Sequence, residues 1–89
     1  MIDKDNDREV DRLDLDKIRK QARIPMVCIY DHPTDYPEAF VARVWDATRP
    51  THIIATAATV EALREKIPSQ MVRLDRQAND DPCIVEVWI

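Results

Sequence analysis

The loop after the first predicted strand contains the side chains best suited to chemistry. Asp31, His32 and Asp35 lie within five positions, with Pro33 between them and Pro37 two positions after the last. Carboxylates bind divalent cations and imidazole titrates near neutral pH, so these three could bind a metal or transfer protons. The same loop also has a structural interpretation, because aspartates cap local amides and prolines stiffen turns. We rank the structural role first, partner binding second and catalysis third.

A second acidic loop, with Asp80 and Asp81, precedes the last predicted strand. If the first and last strands of the sheet are antiparallel neighbours, both acidic loops lie at the same end of the sheet. They would then form one negative patch, which would bind a cation or a basic protein surface, or would keep the protein in solution. The patch would comprise Asp31, Asp35, Glu38, Asp80 and Asp81.

Two cysteines and two histidines raise the question of a zinc site. Cys28 and His32 are four positions apart along a strand, which separates them by roughly 13 Å. Zinc ligands must lie within about 4 Å of one another, so this pair does not share an ion. The sequence predicts no metal and no cofactor, and both cysteines are interpreted as small apolar residues.

The aromatic residues are candidates for a binding surface. Tyr36, Trp45 and Trp88 belong to the residue types that dominate protein interfaces, although packing in the core or on the sheet face is the preferred explanation. The last predicted strand ends in Trp88 and Ile89. If that strand lies at a sheet edge, its backbone can pair with a partner strand.

The composition excludes several kinds of site. The 89 residues contain no glycine, which rules out the P-loop, the dinucleotide-binding fingerprint and the nucleophile elbow. The formal net charge is −4, and residues after position 23 carry all of it. This part of the chain repels phosphate, so we expect no direct nucleic-acid binding.

The location of the protein follows from the same composition. The longest uncharged stretch in the middle of the chain, residues 50–60, is far shorter than the roughly 20 residues of a membrane span. The first residues are polar and acidic, unlike a secretory leader. We expect a cytoplasmic protein with no membrane contact and with reduced thiols.

The elements that position these residues form one predicted domain over residues 1–89. A charged helix is expected within residues 1–25, from Asp5 or Asp7 to Arg23, because acids crowd its start and bases its end. Thr59 is the expected N-cap of a second helix that ends at Pro68. Apolar and β-branched runs predict a sheet core within residues 26–89, with strands at 26–30, 40–45, 52–55, 71–74 and 83–89.

The predicted order is α-β-β-β-α-β-β. It indicates an α+β domain with helices packed on one face of a mostly antiparallel sheet. Without glycine, two-residue hairpin turns are difficult to form, so we expect longer turns stiffened by proline and aspartate. Such a rigid surface favours binding over a closing active site.

Two resemblances accompany these predictions. Residues 26–89, with the strings YDHPTDYPEAFVARVW and NDDPCIVEVWI, resemble a group of small uncharacterised bacterial proteins of mobile-element or phage type. That resemblance implies no known activity. The β-β-β-α-β order of the middle of the chain is similar to that of HicB-type antitoxins, whose partial RNase-H-like fold blocks a small toxin. The glycine-containing motif usual in that family is missing here.

Three functional hypotheses follow. The first is a non-enzymatic protein-interaction module that binds a protein partner or a second copy of itself through strand edges, exposed aromatics or acidic loops. The second is a metal-dependent hydrolase or nuclease that uses Asp31, His32 and Asp35. The third is an antitoxin-like inhibitor whose acidic surface occupies a nucleic-acid site.

Overall fold

A computed structural model describes residues 6–75 and 82–89, which form a six-stranded sheet with two short helices. The sheet order is β1-β4-β3-β2-β6-β5, and every neighbouring pair is antiparallel except β1 with β4. The predicted α+β class with a mostly antiparallel sheet is confirmed. The elements are β1 (Arg8–Glu9), α1 (Leu15–Arg19), β2 (Pro25–Asp31), β3 (Phe40–Asp46), β4 (Arg49–Ala57), α2 (Val60–Arg64), β5 (Arg73–Asp75) and β6 (Ile84–Trp88).

The N-terminal segment differs from the prediction of one long helix. Asp5 lies outside the described residues, and the segment from Asp7 onward begins with strand β1, which pairs in parallel with β4. The helix is limited to Leu15–Arg19, where the Asp14 side chain accepts a hydrogen bond from the Asp16 amide at 2.9 Å. The predicted helix is therefore wrong before Leu15 and too long after Arg19, and the observed order starts with an additional strand.

One cluster of buried side chains joins the sheet to both helical regions. Side chains alternate along a strand, so Val27 and Ile29 of β2 share a face with the β3 and β4 residues opposite them. We call this the first face. Burial of apolar surface is the main favourable contribution to folding, so this cluster positions both helices on the sheet. It comprises Leu13, Ile18, Ala22, Val27, Ile29, Ala42, Val44, Ala55, Leu63, Ile67 and Met71.

The opposite side of the sheet, which we call the second face, is more mixed in character. Its central side chains are Cys28 and Tyr30 on β2 and Val41, Arg43 and Trp45 on β3. Arg43 is buried there, in the middle of an otherwise apolar strand. A buried guanidinium needs a carboxylate partner, and that requirement determines how the N-terminal segment lies on the sheet.

The β3–β4 hairpin shows that this chain makes a tight turn without glycine. Asp46 pairs with Arg49, so only two residues lie between the paired positions, and Ala47 adopts a φ of 54°. The prediction of longer turns is wrong here. The Ala47 amide donates to the Ile24 carbonyl at 2.9 Å, and an Asp46 carboxylate oxygen accepts from the Ile24 amide at 3.0 Å. These contacts offset the roughly 1–2 kcal/mol that a left-handed alanine costs.

The last strand is not an edge, so the condition under which its backbone could pair with a partner strand is not met. β6 lies between β2 and β5, and β5 is the end strand. The sequence left open whether the first and last strands of the sheet core pair antiparallel, and the structure shows that β2 and β6 do so. Among the described residues, no helix has both the length and the apolar composition needed to cross a membrane.

Candidate interaction site

The three side chains of the Asp31 to Asp35 loop do not converge. His32 Nδ1 lies 2.5 Å from Asp31 Oδ1, and both side chains are about half exposed. The His32 ring packs edge-on against Phe40, with centroids 4.9 Å apart. Asp35 instead points toward Arg43, at 3.5 Å. Within residues 6–75 and 82–89, no three His, Cys, Asp or Glu side chains are placed to hold a metal ion.

The second acidic loop contributes Asp80 and Asp81, and both lie outside the described residues. The neighbouring backbone shows where that loop ends. The Asp31 amide donates to the Cys83 carbonyl at 2.8 Å, so the start of β6 adjoins the end of β2. The shared negative patch stays a prediction.

Trp45 and Trp88 lie on opposite faces of the sheet and cannot form one aromatic hot spot. Trp88 is on the first face, where its indole N–H donates to Glu86 at 2.8 Å. Trp45 is on the second face and donates to the Tyr30 hydroxyl at 3.1 Å. Burial raises the pKa of Tyr30 to about 12. Both tryptophans are partly buried, as expected for packing on the sheet.

A polar network on the second face centres on Arg43 and Asp7. The two terminal nitrogens of Arg43 donate to the two Asp7 carboxylate oxygens at 2.8 and 2.9 Å, which is the bidentate geometry of strong charge-assisted pairs. The same guanidinium donates to the Thr51 carbonyl at 2.8 Å. Only 2% of the Asp7 side chain and 7% of the Arg43 side chain are exposed.

Tyr36 and His52 complete this network around Asp7. The Tyr36 hydroxyl donates to Asp7 Oδ2 at 2.8 Å, and His52 Nδ1 lies 3.3 Å from Asp7 Oδ1. The hydrogen bonds from Arg43 outweigh burial and lower the pKa of Asp7 to about 2. Burial and the hydrogen bond to Asp7 raise the pKa of Tyr36 to about 12. At neutral pH the carboxylate therefore stays ionised and the phenol stays protonated.

The role of this network is to attach the N-terminal segment to the sheet. Asp7 directly precedes β1, whose pairing with β4 involves only two residues. Burial would lower the pKa of Arg43, but the hydrogen bond and charge of Asp7 outweigh this effect and raise it. Sequence reasoning missed the network, although an arginine inside an apolar strand was a signal that a buried carboxylate partner exists.

A second ion pair crosses the first face between α2 and β6. Arg64 donates to the two Glu86 oxygens at 3.1 and 2.6 Å. Burial of Glu86 would raise its pKa, but the hydrogen bonds from Arg64 and Trp88 outweigh that effect and lower it. This pair connects a helix to the sheet and is likewise a structural contact.

The end strand β5 presents a different kind of surface, which we call the β5 edge and define by Val72, Leu74 and Ile89. Their exposed fractions are 61%, 43% and 50%. Leu74 pairs with Val87, which in turn pairs with Cys28, so the β5 edge lies on the second face. Of the four large hydrophobic residues this exposed in the described part of the chain, three form the β5 edge and the fourth is Ile24.

The backbone of the β5 edge has a defined orientation. The Val72 amide donates to the Ile89 carbonyl at 2.7 Å, and the Ile89 amide donates back at 2.9 Å. Successive residues of an antiparallel strand direct their amides and carbonyls alternately toward and away from the neighbouring strand. Val72 and Leu74 therefore bond toward β6, while the amide and carbonyl of Arg73 point away from it.

Comparison with known proteins identifies no relative of this chain. No protein-family model matches the chain, and neither a curated protein nor a solved structure matches it. The resemblances to mobile-element proteins and to HicB-type antitoxins stay predictions. The β5 edge is the candidate site because it joins exposed apolar side chains to an outward-facing backbone.

Proposed function

We propose that the protein is a non-enzymatic interaction module that binds a protein partner by adding a strand to β5. The observation that supports this is the β5 edge, where Val72, Leu74 and Ile89 are exposed beside the outward-facing backbone of Arg73. In strand addition, main-chain hydrogen bonds supply affinity and alternate side chains supply specificity. An exposed apolar edge strand is a template for such pairing.

The electrostatics of the second face favour binding over catalysis. A general acid or base works best when its pKa lies near the working pH. The pKa of Asp7 is lowered to about 2 and that of Tyr36 is raised to about 12, both away from neutrality. These groups support the fold instead of transferring protons.

A pair of substitutions at one position tests strand addition directly. Arg73→Pro removes the outward amide, and proline is tolerated on edge strands where the amide faces away from the sheet. Arg73→Ala removes the same side chain but keeps the amide. We expect host proteins retained by the immobilised chain to be retained by Arg73→Ala and reduced at least about tenfold by Arg73→Pro, because each tenfold change corresponds to about 1.4 kcal/mol.

A second pair tests the side chains. Leu74→Glu places a charge on the β5 edge, while Ile24→Glu changes a residue that is 61% exposed and lies just before β2. Loss of retention only in Leu74→Glu supports the proposal. Equal retention by the wild-type chain, Leu74→Glu and Arg73→Pro overturns it.

A further inference from the structure

We infer that the β5 edge binds a second copy of this chain, with the two β5 strands antiparallel about a two-fold axis at Leu74. This inference rests on the proposed function and names its partner. A two-fold axis perpendicular to the sheet keeps each face on its own side, so the residue on the axis lies opposite its own copy. The two sheets would join into one continuous sheet.

The charges of β5 select this register. With the axis at Leu74, Arg73 of each chain lies opposite Asp75 of the other, so two pairs of opposite charges form. An axis at Arg73 would place two guanidinium groups opposite each other, and an axis at Asp75 would do the same for two carboxylates. Like charges directly opposite are destabilising, whereas opposite charges stabilise the pair. Arg73 also lies 4.0 Å from Glu86 of its own chain. A guanidinium has five N–H donors and a carboxylate accepts several hydrogen bonds, so the contacts of Arg73 and Asp75 within their own chain are compatible with this pairing.

The backbone supports the same register. Val72 and Leu74 bond toward β6, and Arg73 directs its amide and carbonyl outward. In the inferred dimer, Arg73 and Asp75 of the other chain form the hydrogen-bonded positions. Leu74 and its copy then form a non-hydrogen-bonded pair, the type in which the two Cα atoms are only about 4.5 Å apart.

Apolar contacts add to the pairing on the second face. Leu74 contacts its copy, and Val72 lies diagonal to the Leu74 of the other chain, within reach of its side chain. Both residues are exposed in the single chain. Because β5 has only three residues, the buried area falls below the roughly 1,200 Å² of standard interfaces, and we expect a weak, concentration-dependent dimer.

Charge reversal tests the register. Arg73→Asp and Asp75→Arg each replace both complementary pairs with like-charge pairs, and each variant alone should dimerise at least about tenfold more weakly by sedimentation analysis. An equimolar mixture of the two variants restores opposite charges at both positions, so it should form a heterodimer of near wild-type affinity. Circular dichroism of each variant verifies that the fold is retained. A mixture no better than either variant alone overturns the register.

Cross-linking provides an independent measurement. In a Cys83→Ser background, Leu74→Cys places two thiols directly opposite across the axis, at a separation that suits a disulfide. Val72→Cys is the matched control, because its two copies are displaced by about four residues, or roughly 13 Å. We expect mild oxidation to produce covalent dimers of Leu74→Cys at least about tenfold faster than of Val72→Cys. Equal rates overturn the register.

The inference and the proposed function fail separately. A chain that stays monomeric at millimolar concentration and does not cross-link through Leu74→Cys overturns the dimer. If that chain still retains host proteins, and Arg73→Pro but not Arg73→Ala abolishes this retention, strand addition to a different partner stands. If Arg73→Pro changes neither dimerisation nor retention, both proposals are wrong.

Discussion

The short strands at the two ends of the sheet are attached to the rest of the fold by different contacts. Each ends in a very short strand, β1 with two residues and β5 with three. At the β1 end, the Asp7 and Arg43 side chains are almost wholly buried. At the β5 end, 61% of Val72 and 43% of Leu74 are exposed. Side-chain chemistry attaches one end strand to the fold, whereas backbone pairing attaches the other and leaves the Val72 and Leu74 side chains exposed.

This difference separates stability from association. A parallel pair of only two residues contributes few hydrogen bonds, so β1 depends on the bidentate contact between Asp7 and Arg43. β5 is extended by the reciprocal hydrogen bonds of Val72 and Ile89, and these do not involve its side chains. Substitutions at the β1 end should therefore reduce stability, while substitutions at the β5 end should change binding.

Arg43→Met should produce the largest effect. It leaves the Asp7 carboxylate buried without its cation, and breaking a buried ion pair in this way typically costs about 3–5 kcal/mol. The free energy of unfolding from urea titrations measures this loss. The matched control is the double variant Arg43→Met with Asp7→Leu, which removes both charges and should recover most of the stability.

This control decides whether the network acts through charge. Equal losses in the single and double variants would show that packing of the N-terminal segment depends on shape alone. Recovery in the double variant would show that the cost lies in the unpaired carboxylate. The charge pair of Asp7 and Arg43 would then be the reason why substitutions reduce stability at the β1 end and not at the β5 end.

The second largest expected effect is a loss of stability at low pH, when Asp7 at the β1 end becomes protonated. The pKa of Asp7 falls from 3.8 to about 2 in the folded chain, a difference that corresponds to about 2 kcal/mol. Because the folded-state value is the lower one, this stability is present above pH 3.8 and is lost as the pH falls through about 2.

Comparison with Asp7→Asn isolates this contribution. Urea titrations between pH 7 and pH 2 should show the stability difference between wild type and Asp7→Asn narrowing by about 2 kcal/mol. Glu86 also has a lowered pKa, but it is present in both proteins and its effect cancels. A difference that is independent of pH would contradict the assignment of the shift to Asp7.

Local sequence signals predicted the strands that consist of unbroken runs of mainly apolar residues. The apolar runs of β2, β3 and β6 were recognisable because each can pack against a core. Thr59 was correctly predicted as an N-cap, and its hydroxyl accepts from the Ala62 amide at 3.1 Å. The N-terminal helix failed because the charge order that suggested it is a local preference. Pairing with β4 and the contact between Asp7 and Arg43, 36 positions apart, overrides that preference.

The candidate site, the β5 edge, was harder to predict from the sequence. A strand at 71–74 was predicted, but its place at the end of the sheet depends on long-range strand order, which periodicity does not contain. Asp31 and Asp35 are neighbours in sequence, yet the loop directs Asp35 toward Arg43 and leaves Asp31 beside His32. Residue spacing identified a loop with possible chemistry, whereas the exposed apolar surface emerged only from tertiary pairing.

The smallest effect on stability is expected for Leu74→Glu. Surface substitutions that break no buried contact usually change the free energy of unfolding by less than about 0.5 kcal/mol, and this limit should apply in dilute protein. At high protein concentration a second copy that binds only the folded chain raises the apparent stability of wild type by mass action. The melting temperature of wild type should therefore rise with concentration, while that of Leu74→Glu should stay constant. Replacing an exposed side chain that serves only association should change the free energy of unfolding of the single chain very little. A loss of several kcal/mol in dilute Leu74→Glu would therefore show that the β5 edge stabilises the fold, as the β1 end does.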